Sequence, residues 1–310
     1  MELLIQVALL VIGFTMLVKG ADYFVDGAAG IATKFGIPQL VVGLTIVAMG
    51  TSAPEAAVSI TGAMSGAADI AVGNVVGSNI LNILIILGIT GFITTVAVQK
   101  STLIIEMPFM MAITVLLIVL GMSGNEISFI EGVIFWICFI AYLVYLYFLA
   151  KKGTEEESAE ERPIWKLLLF VIAGGVVVVW GANISVDAAT AIATAIGISE
   201  KFIGLTIVAL GTSLPELVAS VTAAKKGNAD IAIGNIVGSN IFNILFVLGT
   251  SALIIPIPYQ ASFLIDGIIA VAAGVLLWVA TIRKRELNRP WGSVMLLGYV
   301  AYFVYLLSIG

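Results

Sequence analysis

The sequence predicts an all-α polytopic membrane protein of ten transmembrane helices, arranged as two inverted five-helix repeats. Three observations carry that prediction. The 310 residues are 61% hydrophobic and only 11% charged, whereas soluble domains carry about 25% charged residues. Apolar runs of about 18 residues or more, each long enough to cross a bilayer, recur along the whole chain. Finally, VGLTIVAMGTSAPEAAVS at residues 42–59 returns as IGLTIVALGTSLPELVAS at residues 203–220.

The candidate spans lie at about 3–26, 38–64, 69–96, 102–122 and 127–150 in the first half. In the second they lie at about 164–184, 198–224, 230–256, 262–282 and 291–309. Their length and lack of strict alternation select helices over a barrel. MELLIQVALL at the start has neither a basic flank nor a small-residue cleavage site, so it reads as a retained first helix. No segment is polar enough to form a soluble domain. The halves are residues 1–150 and 164–310, joined by KKGTEEESAEERP at 151–163, whose glutamate run reads as a solvated linker. An odd number of spans per half makes the second half enter from the opposite side, so the repeats are inverted.

Charge sets the expected orientation. With the N-terminus outside, the inner loops hold Lys34, Lys100, Lys151, Lys152, Arg162, Lys166, Lys225, Lys226, Arg283, Lys284, Arg285 and Arg289. The outer loops hold only Lys201. This positive-inside bias predicts both termini outside. Histidine is absent and Cys138 is the sole cysteine. The chain therefore has no disulfide, no thiol cluster and no imidazole metal site.

The chemistry lies in the duplicated segments, about 37–91 and about 198–252. Each run from 42–59 and from 203–220 carries one acidic residue, Glu55 or Glu216, inside apolar sequence. Pro54 has no N–H for the carbonyl of Gly50, and Pro215 has none for that of Gly211. Carbonyls freed at membrane depth need protein donors, water or an ion. Thr51, Glu55 and Ser59 recur every fourth residue and Ser52 is three before Glu55, so on a helix they share one face; Thr212, Ser213, Glu216 and Ser220 repeat the set. In the next span Asn74, Ser78 and Asn82 form a polar ladder, repeated by Asn235, Ser239 and Asn243. Asn79 and Asn240 fall off the ladder face and read as structural. So do Asn74 and Asn235 if they bridge helices. Lys19, Asp22 and Asp26 read as a local pairing or snorkelling group, Asp69 and Asp230 as helix N-caps, and Glu106, Glu131 and Asp266 as interfacial.

Two ionised glutamates in a membrane core cost several kcal/mol each unless neutralised, so they hold protons or cations. Ca2+ takes six to eight oxygens at about 2.3–2.6 Å, which two bidentate carboxylates, two freed carbonyls and water supply. Mg2+ fits this set less well, and soft metals are excluded by all-oxygen ligands. Monovalent ions or protons competing for the same carboxylates give a physical basis for exchange.

The paired GTSAPE/GTSLPE and GNVVGSNILN/GNIVGSNIFN segments resemble the two α-repeats of the cation/Ca2+ antiporter superfamily, most closely its prokaryotic sodium/calcium exchangers. The resemblance spans essentially the whole chain. It implies electrogenic exchange of several Na+ for one Ca2+ by alternating access. It also implies that Glu55 and Glu216 bind both ions, with Thr51 and Thr212 contributing backbone carbonyls to the Ca2+ site. Ser52, Ser213, Ser78 and Ser239 then serve flanking Na+ sites, and Asn82 and Asn243 line the centre. Asn rather than Asp at 243 resembles the potassium-independent kind. The Gly-Asn motif followed by Glu and His of proton-coupled members is missing. The expectation is an inner-membrane Na+/Ca2+ antiporter that makes and breaks no bond. It has no cofactor, and its partners are Ca2+, Na+ and the lipid bilayer. No nucleic acid or protein partner is implied. The rival readings are H+/Ca2+ exchange on the same fold and, from a different class, a cation channel.

Overall fold

The computed structural model describes residues 2–66, 68–152, 160–197 and 209–309. Among these the chain is helical apart from four two-residue strands. Helix is the only open structure that satisfies its own backbone in lipid. Eight helices are long and apolar enough to cross a membrane. Gln39–Thr51 and Ala53–Met64 are long and apolar enough only when taken together, and they are bent by 51° at the break between them. The expected span at 198–224 has residues 198–208, with Lys201, outside the described residues, as are 153–159 of the linker.

Two spans form the centre. Of the Ala229–Ile254 span 94% is buried inside the protein, and of the Ile70–Ile93 span 72%, against 39% or less for every other single-helix span. Both central spans follow one plan. Helices Asp69–Leu81 and Ala229–Phe242 pass into π-helical turns, Asn82–Leu87 and Asn243–Leu248, and then return to α-helix. Each is joined to the helix before it by a tight reversal with a left-handed glycine, Gly66 at φ 84° or Gly227 at φ 83°. An L side chain is strained there. The aromatic rings of Trp136 and Phe139 pack on Phe246, and Phe139 also on Phe242. These contacts brace the Asn243–Leu248 turn from the Phe129–Lys151 helix.

The first helices of the two halves pack on each other. Glu2–Phe35 and Ile164–Ala195 hold 34 and 32 residues, or about 50 Å of helix at 1.5 Å per residue. That exceeds the roughly 30 Å hydrocarbon core, so they cross tilted or protrude. Their backbones touch through glycines. A Cβ on Gly174 would lie 2.6 Å from the Phe24 nitrogen, and one on Gly20 would lie 2.9 Å from the Val178 nitrogen. Small residues allow such close approach where water cannot drive helices together. Among the described residues, Leu17, Ala21, Val178 and Ala182 form an apolar cluster separate from the main core, with Leu214 and Val218 of the Leu214–Lys225 helix packed against it. Two cavities of about 380 and 360 Å³ lie along this seam, one reaching Leu217 and Lys226, the other Gly50 and Ala53.

Short strands tie the halves together at both ends of the Thr102–Gly124 span. Val96–Ala97 pairs antiparallel with Glu286–Leu287, and Glu126–Ile127 with Ile257–Pro258. The first pair brings the loops of Lys100 and of Arg283, Lys284 and Arg285 together on one face.

Several polar residues differ from expectation. Asp22 and Asp26 pair with Lys226 (3.3 and 2.8 Å), not with Lys19, because the end of the Leu214–Lys225 helix lies against the first helix. The N-caps are Ala68 and Asn228 rather than Asp69 and Asp230. Asp230 instead accepts from Gln99 at 2.6 Å. Glu131 closes a capping box with Ser128 at the start of its helix. Glu106 is fully buried and accepts a hydrogen bond from Tyr145. Asp266 accepts from Tyr302 at 3.0 Å. At the linker, Lys34 donates to the carbonyls of Glu160 (3.3 Å) and Arg162 (2.8 Å). The Arg162 guanidinium holds the Glu160 carboxyl down at about 2, from an ordinary 4.5. A lowered carboxyl contributes above its ordinary value and is lost as pH falls toward 2, so this contact is constant across physiological pH.

Two glycine substitutions separate two causes of strain. Gly174→Ala drives a methyl into backbone atoms of Phe24 and is expected to cost about 1–3 kcal/mol, as overpacking does. Gly66→Ala meets no atom within 4 Å and is expected to cost only about 1–2 kcal/mol of left-handed backbone strain. Thermal unfolding of the two variants in detergent measures the difference. A larger loss for Gly66→Ala would contradict the packing described.

Candidate cation site

The carboxylates sit just beyond breaks in their helices. Ser52 has φ −79°, ψ 7° and separates Ala48–Thr51 from Ala53–Met64. Ser213, at φ −93°, ψ 4°, does the same between Ala209–Gly211 and Leu214–Lys225. Pro54 and Pro215 fall in the first turn after each break, where a missing N–H is tolerated. Glu55 and Glu216 occupy the same first turn, where the partial positive end of a helix favours negative charge. Both are fully buried.

The break changes which groups meet. On one continuous helix Ser52 would serve Glu55. Instead the Ser52 hydroxyl donates to Glu216 Oε1 at 2.8 Å, and Ser213 donates to Glu55 Oε1 at 3.1 Å. Each half thus supplies the hydroxyl for the other half's carboxylate. Thr51 donates across the halves to Asn235 Oδ1 at 3.0 Å. Thr212, its repeat mate, is half-buried beside Ser213.

The polar ladder divides its rungs among different neighbours. Asn74 Nδ2 donates to the Glu55 carbonyl (3.2 Å) and to Ser59 (2.9 Å); Asn235 Nδ2 donates to the Glu216 carbonyl (3.3 Å) and to Ser220 (2.9 Å). These bonds pin each carboxylate-bearing helix to its hairpin partner. Ser239 reaches the Ala48 carbonyl at 3.4 Å, and Ser78 is buried at the matching position. Asn82 and Asn243 open the two π-helical turns. The wider turn is a recurrent device at functional sites. Asn79 and Asn240, read from spacing as merely structural, pair across the halves: each donates to the other's carbonyl at 3.1 Å. The signal that singles them out is their place three residues before Asn82 and Asn243 in both copies.

Four buried oxygens of these residues have no hydrogen-bond partner among the described residues: Glu55 Oε2, Glu216 Oε2, Asn82 Oδ1 and Asn243 Oδ1. Buried polar atoms are normally satisfied. Here the orphans come in two symmetry-related pairs, and every one is an acceptor. Among the described residues no third Asp, Glu, His or Cys joins the two carboxylates to form a larger charged cluster. The arrangement therefore offers two negative charges and a set of neutral oxygens, the ligand chemistry of a hard cation.

Comparison with known proteins agrees with that chemistry. The family description "Sodium/calcium exchanger protein" matches twice, at residues 5–148 and 166–308. The sodium/calcium exchanger MaX1 of Methanosarcina acetivorans is 32% identical, covering 97% of this chain and 98% of the relative. The inner membrane protein YrbG of Escherichia coli is 33% identical, covering 98% and 97%. Among solved structures, the sodium-calcium exchanger NCX_Mj, soaked with Na+ and Sr2+, superposes with a TM-score of 0.86 at 32% identity, covering 97% of this chain and 99% of that one. Family, fold and an all-oxygen site thus meet on one conclusion: this multi-pass membrane protein belongs to the sodium/calcium exchanger family.

Proposed function

We propose that the chain is a secondary active antiporter that exchanges Na+ for Ca2+ by alternating access, without a requirement for K+ and with net movement of charge. The observation that carries the reading is the set of four buried, unpartnered oxygens from Glu55, Glu216, Asn82 and Asn243. A divalent ion there balances both carboxylates. Thr51 and Thr212 add backbone carbonyls next to the helix breaks, and Ser52, Ser213, Ser78 and Ser239 add hydroxyls for Na+ on either side. When Ca2+ leaves, the carboxylates still require positive charge, because an unpaired charge in the low-dielectric interior costs several kcal/mol. Na+ supplies it, and that requirement couples the two fluxes.

The architecture proposed for this cycle is ten spans in two inverted halves, 1–150 and 164–310, joined by the 151–163 linker. The double family match over 5–148 and 166–308 supports that division. The long Glu2–Phe35 and Ile164–Ala195 pair, joined to the core along a seam with two cavities, is the part free to move relative to the site. The inner membrane is the proposed location, with both termini outside. Convergence of Lys100 with Arg283, Lys284 and Arg285 on the face of one strand pair supports the orientation. Proton-coupled Ca2+ exchange is the second reading: the same carboxylates are satisfied equally by H+.

Radiolabelled Ca2+ uptake into proteoliposomes decides between them. Uptake driven by internal Na+ and not by internal K+ or a pH gradient is expected. Uptake driven by a pH gradient and indifferent to Na+ would move the chain to proton coupling, and uptake without any counter-ion would make it a channel. Glu55→Gln or Glu216→Gln leaves one negative charge against a divalent ion, a loss of about 3–5 kcal/mol. Exchange is expected to fall by two to three orders of magnitude in either variant. Wild-type exchange by Glu55→Gln would remove Glu55 from the site.

A further inference from the structure

An asparagine offers a cation either an oxygen, which binds it, or an NH2 group, which repels it. The two faces have almost the same shape, so packing alone selects weakly between them. Something must hold Asn82 and Asn243 with oxygen toward the site.

The network around Asn79 and Asn240 does this. Asn79 Nδ2 donates to the backbone carbonyl of Asn240 and Asn240 Nδ2 to that of Asn79, both at 3.1 Å. A carbonyl only accepts, so these two bonds fix both amides with nitrogen toward the backbone. Their Oδ1 atoms are then left as acceptors. Asn82 Nδ2 donates to Asn240 Oδ1 at 3.0 Å, and Asn243 Nδ2 donates to Asn79 Oδ1 at 3.2 Å. With nitrogen so placed on each, the remaining atoms, Asn82 Oδ1 and Asn243 Oδ1, are the ones found buried and unpartnered. A flip of Asn82 would set two oxygens against each other at hydrogen-bond distance. All four asparagines are almost fully buried, so water does not substitute for the bond.

We propose that Asn79 and Asn240 are positioning residues of the cation site: each locks the amide of the other half's asparagine, Asn243 or Asn82, with its oxygen toward the ion. These hydrogen bonds cross between the repeats twice, so each half sets the polarity of a ligand in the other. This inference rests on the reading of Glu55 and Glu216 as the ion-binding carboxylates.

The test is a double-mutant cycle on the full-length protein in proteoliposomes, reading apparent KM and maximal rate for Ca2+ under a fixed Na+ gradient. Asn240→Ala frees Asn82 to turn its NH2 inward and is expected to raise KM for Ca2+ by about tenfold, the weight of one hydrogen bond to a charged group, with a smaller change in maximal rate. The companion substitution is Asn82→Asp, whose carboxylate shows oxygen on both arms and needs no orienting. In that background Asn240→Ala is expected to leave KM unchanged or to lower it, because an oxygen–oxygen opposition is removed. Asn79→Ala, with Asn243→Asp as its companion, repeats the cycle on the other side. A merely structural role predicts the same KM penalty from Asn240→Ala in both backgrounds, together with a lower melting temperature, and that result overturns the proposal. So does a wild-type KM in Asn240→Ala when Glu55→Gln is inactive. Exchange that persists in both Glu55→Gln and Glu216→Gln instead overturns the site reading itself.

Discussion

Two carboxylates held at membrane depth set the terms for the rest of this protein. A charged group taken from water into a low-dielectric interior costs several kcal/mol even after relaxation. Glu55 and Glu216 are fully buried and each leaves one oxygen without a partner. The surrounding structure reads as the means of keeping that cost bounded while a cation is exchanged. Helix breaks place each carboxylate in a first turn. Serines from the opposite repeat satisfy one oxygen of each. The other oxygen has no partner among the described residues and is the one offered to the ion in the proposed exchange.

Exchange of partners between the halves follows from the breaks. A straight helix would have directed Ser52 along its own axis toward Glu55. The irregular ψ at Ser52 and Ser213 turns each hydroxyl to the other half's glutamate. The asparagines add a second crossed layer, in which each half orients an amide of the other. A site built this way is complete only when both repeats are in register, which ties ion binding to the relation between the halves. The two central helices are accordingly the most buried spans.

The remainder of the fold has a different character. Glu2–Phe35 and Ile164–Ala195 are too long for the bilayer thickness, touch each other backbone to backbone through Gly20 and Gly174, and share a small apolar cluster of their own. The seam between this pair and the site-bearing helices is cavity-lined, with Asp22 and Asp26 paired to Lys226 at its end. A buried centre beside a seam with open hollows is a distribution that the proposed alternating access would use.

By itself the sequence determined the class of this protein and pointed to the residues proposed as its site. Hydropathy marked the spans because lipid leaves a helix few alternatives, and the repeat singled out Glu55, Glu216, the prolines and the ladder because packing alone does not preserve such a set twice. The tertiary structure decided who meets whom. Spacing put Ser52 on the face of Glu55, yet the turn at Ser52 delivered it to Glu216. Spacing put Asn79 and Asn240 off the ladder, yet contact between the halves made them partners of Asn243 and Asn82. Spacing gave Glu106 no partner, yet the next helix brought Tyr145 to it. The physical reason is common to all three. Periodicity reports the faces of one regular helix, whereas these bonds depend on where a helix stops being regular and on which neighbour then lies opposite.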